Sequence, residues 1–219
     1  QHQLDRGIPM DQLELLVTPN AGLAICTTPE SKQLIDKDGS YSSLVTNFAN
    51  MVAEHIHTVY PKARIVFLAY SNYATPPDYV KPGPNVCQII TAWPAADSLA
   101  TNMAHPLFSE PNHKYQNAFK EWSKTSGGLG AYTYYGHYNW FTPWPMTTQM
   151  AHDIPTMCAD PKFFHLYSEN HPSWGTQGLT LWLFPKLMWN PKLDVDAAIS
   201  EYDRAAYGPA AEIMKTYQK

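Results

Sequence analysis

The chain is poor in charge. Asp, Glu, Lys and Arg make up 16% of its 219 residues, the formal net charge is -4, and Lys and Arg form no cluster. A nucleic-acid surface therefore has no electrostatic footprint here. Arginine is scarcest, with Arg6, Arg64 and Arg204 alone, and none falls in a loop suited to pairing the carboxylate of a uronic acid. No run of about 18 apolar residues is present, so no segment is expected to span a membrane. The first six residues, Gln1 to Arg6, lack the charged-then-apolar pattern of a secretory signal. Cys26, Cys87 and Cys158 are odd in number and far apart, which suits neither a zinc pair nor a disulfide framework. Histidine is more plentiful, but His55 and His57 lie two apart on a helix and face different directions, and no HExxH spacing occurs. Gly-rich phosphate loops and GxSxG elbows are also missing. The expectation is a site with no metal and no cofactor.

What the chain does have is aromatic side chains and proline: Trp 7, Tyr 14 and Pro 19. Its length suffices for one sizeable core but falls short of the about 250 residues of a complete eight-stranded α/β barrel. Leu44, Phe48, Met51, Val52, Ile56 and Val59 recur at helical spacing up to Pro61. The continuous apolar run 65–70 follows, as in a strand buried on both faces. Runs at 86–92, 129–135 and 163–168 repeat the pattern, with a helix on Tyr115, Phe119 and Trp122 and another on Met150, Ile154 and Met157 between them. Residues 36–40 read as an exposed turn, and 13–17 and 22–27 as two short strands. Helices over 179–189 and 195–206 and a last one after Pro209 close the chain. Strands alternating with helices predict a parallel sheet with right-handed crossovers. The predicted fold is α/β, of the (β/α)8 TIM-barrel type, small or incomplete, with C-terminal helices, and a single domain over 1–219.

In such folds ligands bind where the strands' C-terminal ends open into loops. Glu169 ends the 163–168 run, and a loop of Asn170, His171, Pro172, Ser173, Trp174 and Gly175 follows at once. A carboxylate there can move protons or stabilise cationic charge, and an indole can stack on a pyranose; pairing with an arginine or capping the next helix is the plainer alternative. Tyr70, Tyr134 and Tyr135 end strands, where a phenol can hydrogen-bond a sugar or simply pack. Asn72 and Asn170 could bond sugar hydroxyls or make turns. His137 lies in a loop of the same face. Among the tryptophans, Trp140 and Trp174 are the stacking candidates, whereas Trp122, Trp182 and Trp189 lie on helices and are expected in the core. Asp78 and Asp97 are loop acids, more readily explained by solvation or capping than by catalysis.

From about Ser40 onward the chain resembles glycoside hydrolase family 163, a family long known only as an uncharacterised bacterial domain. The resemblance is carried by Asn47–Glu54, Tyr60-Pro61, Phe67–Asn72 with Pro76-Pro77, Pro84–Val86, Gly130–Gly136, Tyr167–Glu169 with Trp174-Gly175, Lys186–Pro191, Asp194–Asp196 and Tyr207–Ala211. It implies the C-terminal portion of a catalytic barrel. It also implies a retaining, substrate-assisted hydrolase of β-linked N-acetylglucosamine in glycans of the N-glycan core type, in which the substrate's acetamido group replaces an enzymic nucleophile. Glu169 and Tyr135 are then the catalytic candidates. Tyr70, Asn72, Tyr134, His137, Trp140, Asn170 and Trp174 would hold a glycan or oligosaccharide, in a secreted or periplasmic setting. Two departures support an alternative, a glycan-binding protein that has lost turnover. The Cys-rich, Asn-Asp-containing stretch of relatives is missing ahead of the helix near Tyr41, and Thr133 stands where relatives often carry an acid.

Overall fold

A computed structural model of the chain describes residues 6–9, 13–17, 26–94, 98–136, 144–170 and 173–218. Five strands, β1 (Glu14–Leu16), β2 (Arg64–Ala69), β3 (Val86–Thr91), β4 (Leu129–Gly136) and β5 (Phe163–Asn170), lie side by side in sequence order. Every neighbouring pair is parallel. The helices are α1 (Pro29–Asp38), α2 (Ser42–His57), α3 (His113–Thr125), α4 (Thr147–Cys158), α5 (Trp174–Trp189), α6 (Val195–Tyr207) and α7 (Ala211–Tyr217). The β2–β3 connection carries only a short 3-10 turn, Ser71–Tyr73.

Alternation along each strand separates two apolar layers. On one side Ile65, Phe67 and Ala69 of β2, Val86 and Ile90 of β3, and Leu129 and Ala131 of β4 pack under α2 and α3 with Ala49, Ala53, Phe119 and Trp122. The other side carries a smaller cluster of Val66, Cys87 and Ile89, against which Leu68, Tyr132 and Phe164 pack. Burial on both faces explains why these strands read as unbroken apolar runs. The sheet is curled. Glu14 on β1 reaches Arg64 on the adjacent strand at 3.8 Å and His165 on β5, at the opposite end of the sheet, at 3.5 Å. Side chains from the first and last strands meet only if the sheet bends round into a half-barrel, with the smaller cluster on its concave side.

Two expectations, the 36–40 turn and the burial of Trp189, are corrected. The 36–40 turn is the end of α1, which Thr28 caps at its first turn and Gly39, at φ 64°, closes in the left-handed conformation. Of the two expected N-terminal strands, 13–17 is present as Glu14–Leu16, while most of 22–27 lies outside the described residues. Trp189 is 93% exposed at the end of α5 and belongs to no core, whereas Trp122 is fully buried and donates its indole N–H to the Ala74 carbonyl at 2.9 Å. Trp182 is half-buried against Tyr202, with the Lys186 ammonium 4.0 Å from its ring.

Candidate active site

The register of the last two strands builds the site. Tyr132 lies opposite Tyr167, and Thr133 opposite Ser168, so the pleat sends Tyr132, Tyr134, Tyr167 and Glu169 to the concave face and Thr133, Tyr135 and Ser168 to the helix side. On the concave face Trp93, Tyr134, Tyr132 and Tyr167 form a row of rings. Successive centroids are 5.0, 5.4 and 4.6 Å apart. Tyr134 is buried within the row, while Tyr167 is 48% exposed at its end. The Tyr132 hydroxyl donates a short hydrogen bond to Oε1 of Glu169. Glu169 is thus a half-buried carboxylate beside an exposed ring, at the C-terminal end of a parallel strand. Burial first, and then the Glu169 carboxylate, push the Tyr132 phenol well above its ordinary pKa.

The strand end is fixed from behind. Ser168 Oγ accepts from the Tyr135 amide at 3.0 Å, and Thr133 Oγ1 donates to the Tyr167 carbonyl at 3.0 Å. Asn170 donates from Nδ2 to the Ser168 carbonyl at 2.8 Å and lies against Gly136. A Cβ at position 136 would collide with the Asn170 side chain, so only glycine lets that side chain close over β4.

Tyr135 is not brought to Glu169. It is 2% exposed, among Met146, Met150, Ile154, Leu183 and Leu187, and its hydroxyl donates to Asp153 Oδ2 at 3.3 Å. Asp153, on α4, is fully buried; Oδ1 accepts from the Phe108 amide at 3.4 Å and lies 3.3 Å from the His152 ring. Burial raises the Asp153 carboxyl above its usual range, partly offset by the Leu107 amide, His152 and the Phe108 amide. This pair joins α4 to β4 and to the loop after β3, and faces away from the concave side. Tyr70 packs against the main core. Asn72 is exposed, and its carbonyl accepts from the Tyr41 amide at 3.3 Å. Trp174 opens α5 and is 63% exposed. His137 and Trp140 lie outside the described residues, as does Asp97. Asp78 is exposed, and its amide donates to Asp38.

Sequence reasoning passed over Tyr132, Tyr167 and Asp153. The parity of β4 was the available signal for Tyr132, since Leu129, Ala131 and Tyr135 share one face and Tyr132 and Tyr134 the other; Tyr167 shares the parity of Glu169 on β5. Asp153 stands three after Met150 and four before Met157, a charge inside an apolar stripe. Among the described residues no group of three His, Cys, Asp or Glu could hold a metal ion, and no helix is long and apolar enough to cross a membrane.

A family model described as a domain of unknown function (DUF4838) matches residues 12–219. The chain belongs to the DUF4838 family. No curated protein and no solved structure matches it. As a DUF4838 member it carries an α/β half-barrel whose concave face holds the Glu169 carboxylate at the end of an aromatic row.

Proposed function

We propose that this DUF4838 member is a glycoside hydrolase acting on β-linked N-acetylglucosamine in glycans of the N-glycan core type, with retention and with help from the substrate's acetamido group. The half-barrel is read as part of a (β/α)8 barrel, and its setting as secreted or periplasmic, where such glycans are met. One observation carries the reading. A half-buried carboxylate stands at a strand's C-terminal end, held by a phenol and flanked by an exposed ring. A carboxylic acid can protonate a glycosidic oxygen, and a ring beside it can stack on the apolar face of the sugar. The resemblance to family 163 supplies the sugar and the substrate-assisted route, which needs no second carboxylate as nucleophile.

A second reading, glycan binding without turnover, draws on Thr133. That position, where the resemblance to family 163 implies an acid, is a threonine on the helix side of β4, 1% exposed, that spends its hydroxyl on the Tyr167 carbonyl.

Both readings need Tyr167 as a sugar platform. Tyr167→Ala is expected to weaken binding of a chitobiose-containing oligosaccharide about tenfold by isothermal titration calorimetry, the scale of one lost ring contact. Unchanged affinity would remove the concave face from glycan recognition.

A further inference from the structure

We infer that Tyr132 is the positioning residue of Glu169, tying Oε1 and committing the carboxylate to act through Oε2. The inference rests on the hydrolase reading for its chemistry, but the pairing itself is read from the structure. Tyr132 sits in the middle of β4 with its ring between those of Tyr134 and Tyr167. Its backbone is paired in register with Tyr167. A side chain held on a strand and wedged between two rings has one accessible direction for its hydroxyl, and that direction ends on Glu169 Oε1. Among the described residues Tyr132 is the side chain that bonds this carboxylate; Arg64, the sheet's own arginine, is engaged with Glu14 and with the Phe164 ring at 4.6 Å.

A phenol orients a carboxylate differently from a guanidinium. It contributes one donor, carries no charge, and fills one lone-pair direction. With Oε1 accepting from Tyr132, the proton of the neutral acid resides on Oε2, the oxygen left to face a ligand. In the proposed reaction the acetamido oxygen bonds to C1 as the glycosidic C–O bond breaks, and the Oε2 proton passes to the leaving oxygen. Water then attacks C1, the acetamido bond opens, and the water's proton returns to Oε2. Tyr132 keeps its own proton throughout, in keeping with its raised pKa.

Tyr132→Phe retains the ring and its packing, so its effect isolates the hydroxyl. The expected result is a fall in kcat of about 10- to 100-fold with KM little changed. The double variant Tyr132→Phe/Glu169→Gln should be no slower than Glu169→Gln alone, because Tyr132 acts through that carboxylate. Losses that multiply, or an unchanged kcat, would overturn the assignment. A second readout does not depend on turnover. With tyrosines labelled with ¹³C at Cζ, the Tyr132 resonance should titrate at lower pH in Glu169→Gln than in the wild type, since the negative neighbour is gone. An unmoved titration means that the two groups are not paired and sinks the inference by itself. If the wild type hydrolyses no glycoside, the hydrolase reading fails and the resonance alone decides the pairing.

Discussion

Asp153→Ala should destabilise the fold by about 3–5 kcal/mol, among the largest losses available to a single substitution here. The carboxylate is fully buried and bonds the Tyr135 hydroxyl on β4 and the Phe108 amide in the loop after β3. Alanine leaves both donors without that partner, the Tyr135 hydroxyl in a buried position and the Phe108 amide in a half-buried one, at about 1–3 kcal/mol each, and opens a small cavity beside Met150 and Ile154. Asp153→Asn keeps the shape and an acceptor for the amide, so its loss should be smaller. The two carboxyl states also make the effect depend on pH. Because burial raises the folded-state pKa of Asp153, the native protein holds this proton more tightly than the unfolded chain. The resulting stability is fully present below the ordinary aspartate value and is lost as pH rises through the raised one. Urea denaturation from about pH 4 to pH 7 should therefore show the wild type losing stability relative to Asp153→Asn as pH increases. A loss below about 1 kcal/mol in Asp153→Ala would show that the buried network carries little stability.

Glu169→Gln is expected to lower kcat by several hundredfold while leaving glycan affinity within a few-fold, because general acid–base catalysis is worth about 10²–10⁴ in rate. Glutamine matches the shape of glutamate, and its amide oxygen can still accept from Tyr132, so the aromatic row and the strand end stay in place. What is lost is the ability to give and retake a proton. A fall in kcat without a matching change in KM is the signature of an interaction used in the transition state. Full activity in the variant would sink the assignment of Glu169, and the chemistry would then lie elsewhere on the concave face. Loss of binding together with turnover would point to a ligand-holding role.

Strands β2, β3 and β4 were legible in the sequence because both of their faces are buried, which leaves unbroken apolar runs such as 65–70. Glu169 was legible for a related reason, as a charge at the point where such a run stops. Side-chain direction was harder. In Tyr132-Thr133-Tyr134-Tyr135 three phenols crowd four positions, and only the register with β5 shows that Tyr132 meets Glu169 while Tyr135 turns to Asp153. α1 was hidden by its polarity, since Ser31 is its one buried residue; the Thr28 cap, Pro29 and Gly39 were its signals. Trp174 follows Pro172 and Ser173 and so looks like a loop residue in the sequence, but Ser173 is extended and α5 begins at Trp174 itself. The anchoring of the stretch that leads into α3 did not show in the sequence. Asn112 holds it with Nδ2 bonds to the carbonyls of Asn102, His105 and Pro106, contacts that exist only once the loop has closed on itself.

The reaction proposed for this concave face is hydrolysis of β-linked N-acetylglucosamine with the substrate's own acetamido group. The most direct test is release of product by the wild type from an N-glycan, from an aryl β-N-acetylglucosaminide and from the matching aryl β-glucoside, which lacks the acetamido group. The expected result is cleavage of at least one acetamido substrate and none of the glucoside. Failure to cleave either acetamido substrate, with saturable glycan binding intact, would contradict it and leave a glycan-binding protein in its place.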